Sequence, residues 1–206
     1  MKTLIVILLL PILSYGQAKI VLPLNYTVTK GVTSAPAWGF VDATYQANTN
    51  HLKTGTVYSS LDGTNSFCGY STNYFSFGDS ARYYVDYAST DDGYNFISLS
   101  GSVAASCEAF WDADVSVGVI ESGADFFYRT YDQVDAFVTS AIIALPGDTY
   151  GLFMSASGVI KAQYYRAGVW TEIKEFDFTA SGDMYPSYTG TAGRTITNPK
   201  VSNNIQ

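Results

Sequence analysis

Charge is scarce in this 206-residue chain, and basic charge scarcest. Only 14% of residues are charged, 18 acidic against 11 basic, for a net charge of -7. No cluster of Lys and Arg occurs, so the cationic footprint that nucleic-acid phosphates or anionic lipid would need is missing, and neither is expected as a partner. Histidine occurs once, at His51, and cysteine twice, at Cys68 and Cys107. Those numbers leave a zinc set or a Cys/His nucleophile without enough members. Beyond the first 16 residues no apolar run is long enough to span a bilayer. What the chain does have is 47% hydrophobic residues, including 17 Tyr, 12 Phe and 3 Trp. That excludes a disordered chain, and the length suits one all-β domain.

The N-terminus reads as an address. Met1 and Lys2 give a positive start, Leu4 to Leu10 an unbroken apolar run, and Ser14-Tyr15-Gly16 a small-residue site before Gln17. This is the plan of a secretory signal peptide, with an apolar core shorter than the ~20 residues of a membrane span. Residues 1–16 are therefore expected to be removed and 17–206 to fold as a single domain in a secreted, extracellular or periplasmic setting. In such an oxidising compartment the even pair Cys68 and Cys107 is expected to form a disulfide. A loop of about 39 residues closed this way contributes ~4 kcal/mol in the chain-entropy model.

The mature chain has a period of two. Ile20, Leu22, Leu24, Tyr26 and Val28 alternate with more polar neighbours, with Pro23 marking an edge or a bulge. Tyr83, Val85 and Tyr87 repeat the pattern, as do Trp111, Ala113, Val115, Val117 and Val119. Short β-branched and aromatic runs between Gly, Asn and Asp turns indicate an antiparallel sandwich. Near the C-terminus, Tyr150 to Ser155, Val159 to Arg166 and Val169 to Phe178 read as three strands joined by turns at Ser157-Gly158 and Ala167-Gly168. Over 132–145 two periods compete. Val134, Phe137, Val138, Ala141, Ile142 and Leu145 fit a helix opened by Asp132 and stopped at Pro146-Gly147, whereas Ile142-Ile143 and the flanking hairpins favour a buried strand.

The run Gly147-Asp148-Thr149-Tyr150-Gly151-Leu152-Phe153-Met154, followed by Ser157-Gly158-Val159-Ile160-Lys161-Ala162-Gln163-Tyr164-Tyr165-Arg166-Ala167-Gly168-Val169-Trp170, resembles the hairpins of concanavalin A-like lectin and glucanase jelly rolls. Met184 to Tyr188 and Gly193 to Val201 continue the likeness where that superfamily closes with a final strand. Ala167 stands where the family usually has Asn, which leaves the turn type open. The likeness covers 147–201 and implies a jelly-roll β-sandwich more strongly than any activity.

The glucanase branch carries Glu-x-Asp-x-Glu on a strand, which brings two carboxylates to one sugar bond. Here Glu172 to Thr179 completes that pattern in neither register, because Thr179 or Lys174 replaces a required acid. The lectin branch often uses Ca²⁺, and Asp112 and Asp114, near Glu108 and the Asp91-Asp92-Gly93 turn, are the candidate ligands. The spacing is not that of an EF-hand, and no other cofactor is indicated. Sugar recognition needs aromatic faces beside hydrogen-bonding groups. Trp38, Trp111, Trp170 and the pairs Tyr83-Tyr84 and Tyr164-Tyr165 are candidates, and in each Tyr pair one ring must face outward. Trp170, Tyr164 and Tyr84 are the expected ligand-binding residues, although Trp170 shares its parity with Phe176 and Phe178, which offers it an alternative place in the core. Asn25-Tyr26-Thr27 is an N-glycosylation sequon.

The expected function is non-catalytic glycan recognition or adhesion to a cell or particle surface, by contacts nearly independent of ionic strength. The alternatives are a structural component of an extracellular or particle surface and a divergent glycan hydrolase. The oligomeric state is not encoded in any recognisable pattern.

Overall fold

The computed structural model describes residues 41–42, 44–45, 48–49, 51–64, 66–71, 74–88, 93–102 and 113–203. The chain divides into two units, 1–34 and 35–206, and everything described belongs to the second. The expected signal peptide, the strand at Ile20 to Val28, the sequon, Trp38, Asp91, Asp92, Cys107, Glu108, Trp111 and Asp112 lie outside the described residues.

Among the described residues there is no helix. The strands are β1 (Val41–Asp42), β2 (Thr44–Tyr45), β3 (Asn48–Thr49), β4 (His51–Thr54), β5 (Val57–Ser60) and β6 (Phe67–Tyr70). There follow β7 (Ala81–Asp86), β8 (Tyr94–Ser100), β9 (Val115–Ser122), β10 (Asp125–Asp132) and β11 (Ala136–Ile143). The last five are β12 (Thr149–Met154), β13 (Val159–Arg166), β14 (Val169–Thr179), β15 (Tyr185–Gly190) and β16 (Thr195–Asn203). One sheet has the order β1-β6-β15-β8-β9-β10-β11 and the other β14-β13-β12-β7-β16-β5-β4, while β2 and β3 form a separate small ladder. Every pairing is antiparallel, and β12 lies across β8 and β9.

The period of two explains the core between the sheets. Tyr83 and Val85 of β7, Leu152 and Met154 of β12, and Val117 and Val119 of β9 all have no accessible surface. Each such side chain contributes about 1.5–3 kcal/mol by leaving water. At one end of the sandwich the core closes on a polar clamp. Asp148, 3% exposed, accepts hydrogen bonds from the Tyr128 hydroxyl at 2.6 Å, Arg166 Nε at 2.8 Å and the Leu145 amide at 2.9 Å. Burial alone would raise the Asp148 carboxyl, but the bonds from Arg166, Tyr128 and Leu145 outweigh it and hold the group below its ordinary value.

The C-terminal hairpins match their sequence pattern. At the turn between β13 and β14, Ala167 has φ 52° and Gly168 φ 87°. Two successive positive φ values define a type I′ turn, the conformation for which Asn-Gly is best suited. The segment 136–143 is a strand, as favoured, but it is an exposed edge strand and not a buried one. Among the described strands β11 pairs only with β10, and Phe137, Val138 and Ile143 are each 40–43% exposed. Arg129 and Tyr131 of β10 stack against Phe137 and cover part of it. Asp132 does not open a helix; its carboxylate accepts the Val134 and Asp135 amides in the β10–β11 turn.

Candidate ligand site on the outer face of the second sheet

Because Ala81, Tyr83 and Val85 point into the core, Arg82, Tyr84 and Asp86 of β7 stand on the outer face of their sheet. Thr149 of β12 lies opposite Asp86, and Tyr165 of β13 is set opposite Trp170 of β14 by the two-residue turn. With Lys200 and Ser202 of β16, these residues line a depression of about 340 Å³. That is at the lower end of small-molecule sites, ~300–1,000 Å³. Gly151, between Thr149 and Phe153 on the same face of β12, places no side chain between Tyr84 and Gln163. A Cβ there would come within 2.5 Å of the Tyr83 carbonyl oxygen.

Two β-bulges deliver side chains to this face. In β16 the register slips between Thr197 and Lys200, where Asn198 adopts φ 50°. The extra residue puts Lys200 opposite Tyr84 and leaves Val201 facing the core. In β14 the register slips opposite Ala162 and Gln163, so that Glu172 pairs with Gln163 and Lys174 with Ala162. Ile173 is the extra residue. Trp170 before it faces outward, whereas Phe176 after it is buried, although the two share parity in sequence. Val169, next to Trp170, is 61% exposed.

The aromatic side chains are gathered around Trp170. Its ring lies edge-on to Tyr84 at 5.9 Å and tilted to Tyr165 at 5.3 Å. The Arg82 guanidinium sits 4.0 Å from the Trp170 ring centroid and 5.4 Å from that of Phe153, and donates to Gln163 Oε1 at 2.9 Å. Burial pushes the Arg82 guanidinium down to about 10, against a small opposing effect of Tyr84. Burial, reinforced by the nearby Asp86 carboxylate, raises the Tyr84 hydroxyl. Asp86 itself accepts the Thr149 hydroxyl at 2.9 Å and the Asn198 amide at 2.6 Å.

Of the three residues expected to bind ligand, Trp170 and Tyr84 come together here. Tyr164 does not join them: it packs against the core, stacked on Tyr128 at 5.3 Å, and its neighbour Tyr165 takes the outward position at 39% exposure. Arg82, Asp86, Thr149, Lys200 and Ser202 were not anticipated. The alternation at Tyr83, Val85 and Tyr87 already implied the outward row of β7, but nothing in the composition marked the β16 residues.

The other candidate sites read differently. Glu172 and Glu175 both bind Lys161, at 2.9 and 2.7 Å, which accounts for them as ion-paired acids on an open strand face. Asp114 accepts the Gly101 amide at 2.7 Å, and no group of three metal-ligating side chains occurs among the described residues. Cys68 is buried on β6, and its expected partner lies outside the described residues.

No protein-family model matches the chain, and no curated protein sequence does. Solved structures do match it. The legume lectin-like domain from Entamoeba histolytica superposes with a TM-score of 0.51 at 8% identity, over 85% of this chain and 86% of that one. The PSPRY domain of TRIM65 gives 0.50 at 9% identity, over 81% and 90%. Stonustoxin gives 0.52 at 13% identity, over 81% of this chain but 28% of the toxin chain. The fold is a concanavalin A-like jelly roll. Identities this low establish architecture alone, and a lectin-like architecture is common to proteins of different function. Among the described residues no helix is long and apolar enough to cross a membrane.

Proposed function

We propose that this chain is an exported, non-catalytic glycan-recognition domain whose sugar site is the depression on the outer face of the second sheet. The observation that carries the reading is the convergence of Trp170, Tyr84 and Tyr165 on one open face beside Thr149, Ser202 and Asp86. Sugars present apolar C–H faces edged by hydroxyls, and such a floor offers rings for the first and donors and acceptors for the second. The depression contains one carboxylate, already bonded twice, and so lacks the clustered oxygens that Ca²⁺ requires. Binding is expected to survive chelation.

Titration of immobilised glycans with wild type and Trp170→Ala, beside a thermal melt, tests the reading. At least ~10-fold weaker binding, about 1.4 kcal/mol, at an unchanged melting temperature supports it. Unchanged affinity removes Trp170 from the site. Robust β-glucan hydrolysis abolished by Glu175→Gln would instead establish a hydrolase.

Export and the staple belong to the same proposal. The mature protein should begin near Gln17, read by mass spectrometry of the secreted product, and denatured unreduced protein should titrate with no free thiol at Cys68 or Cys107. One observation favours assembly into a surface structure as well: β11, the last described strand of its sheet, exposes the apolar side chains of Phe137, Val138 and Ile143. Sedimentation of the wild type against Val138→Lys distinguishes a self-associating chain from a monomer.

A further inference from the structure

Resting on that sugar-site reading, a further property follows from the charges in the depression. Lys161, Arg166 and Lys174 each sit on carboxylates: Glu172 and Glu175, Asp148, and Asp132 with Asp135. Arg82 and Lys200 do not; among the described residues neither has an acidic partner. The Arg82 guanidinium is pressed between Trp170 and Phe153, its Nε–H is covered and makes no hydrogen bond among the described residues, and an η-nitrogen donates to the neutral Gln163 amide. Lys200 lies opposite Tyr84 on the neighbouring strand, and Ser202 opposite Arg82, so both cations border the same end of the depression. Asp86 lies at the other end, opposite Thr197, with both carboxylate oxygens engaged by Thr149 and Asn198.

A cation removed from water without a counter-ion is held at a cost, and a ligand anion brought to it relieves that cost. The depth of the lowering at Arg82 agrees with such desolvation. We infer that the depression takes an acidic saccharide, its carboxylate or sulfate set against Arg82 and Lys200 and its ring against Trp170 and Tyr84. The chain as a whole carries a net charge of -7, so it does not draw anions from a distance. Selectivity arises at contact, in the dissociation rate more than the association rate. The salt independence expected from the sequence therefore gives way to weakening with added salt, since binding includes a charge pair at the rim.

Calorimetric titration with a short oligouronate, the same oligouronate with its carboxyls reduced to alcohols, and a sulfated oligosaccharide with its desulfated counterpart tests the inference. The acidic form of at least one pair is expected to bind about 10-fold or more tightly than its neutral partner, and the pair that shows it identifies the anion. Lys200→Gln and Arg82→Gln should each shrink that ratio several-fold. Lys200→Gln, on an open strand face, should leave the melting temperature unchanged. Equal binding of acidic and neutral forms, with Trp170→Ala still abolishing both, overturns the acidic preference and leaves the sugar site standing. An acidic preference untouched by either variant also overturns it. Failure of every saccharide to bind removes the sugar site and this inference together.

Discussion

Arg166 and Arg82 stand on neighbouring parts of one sheet and show how differently the same side chain can be used. Arg166, at the end of β13, reaches Asp148 with both Nε and an η-nitrogen and touches the Ile143 carbonyl. Asp148 in turn ties Tyr128 of the opposite sheet and the Leu145 amide. Every group in that clamp has a partner, so its charge serves cohesion between the sheets. Arg82 has rings and a neutral amide around it and, among the described residues, no carboxylate partner. A satisfied network holds the fold, whereas an unsatisfied cation on an open aromatic face is available to a ligand.

Breaking the clamp should have the largest effect. Asp148→Ala leaves Arg166, the Tyr128 hydroxyl and an amide without their acceptor, and about 3 kcal/mol or more of stability should be lost by urea denaturation. Arg82→Met, the matching change on the outer face, should alter stability by less than ~1 kcal/mol, since it removes an uncompensated buried charge and keeps the packing on Trp170. A comparable loss at both positions would erase the distinction between them.

Acid should separate the two regions without mutation. Asp148 and Asp132 both titrate below the ordinary carboxylate value in the folded state. Burial opposes this at Asp132, where the Asp135 and Val134 amides and Lys174 prevail. Groups depressed on folding contribute stability that is complete above their unfolded value, near ~4, and is lost as pH falls through the folded one. Denaturation midpoints should be flat from about pH 7 to 5 and then drop below pH 4, with Asp148→Asn showing a shallower drop. Lys174 is raised on folding, its burial outweighed by the hydrogen bonds it donates to Asp135 and Asp132, so its contribution is present below its unfolded value near ~10.5 and fades only above it. Smallest of all should be the gain at the turn leading to Trp170. Ala167→Asn places a residue tolerant of positive φ at φ 52°, and should raise stability by up to ~1 kcal/mol without altering binding.

The hairpins of 147–178 were legible because turn chemistry and a period of two agree over an unbroken stretch. The same turn held more than was read from it. A two-residue loop at Ala167-Gly168 pairs Tyr165 with Trp170, so an outward Trp170 already implied an outward Tyr165 and an inward Tyr164. Bulges were not legible. A slip at Ile173 reverses parity within one strand, and only tertiary pairing reveals that Trp170 and Phe176 face opposite ways. In β16, Asn198-Pro199 was the available signal, since Asn tolerates positive φ and Pro favours bulges in a paired strand. The exposed edge at β11 escaped because apolar composition reports burial only on average, and an edge strand has one neighbour where a central strand has two.

The most direct measurement follows the indole N–H signals of the protein by nuclear magnetic resonance during titration with an oligosaccharide. The sequence contains three tryptophans, Trp38, Trp111 and Trp170, and Trp170→Phe identifies the third signal. Recognition on the outer face of the second sheet requires the Trp170 signal to move progressively to saturation, together with the amides of Tyr84, Thr149 and Lys200. A Trp170 signal that stays in place while another indole shifts would locate the sugar elsewhere and contradict the assignment.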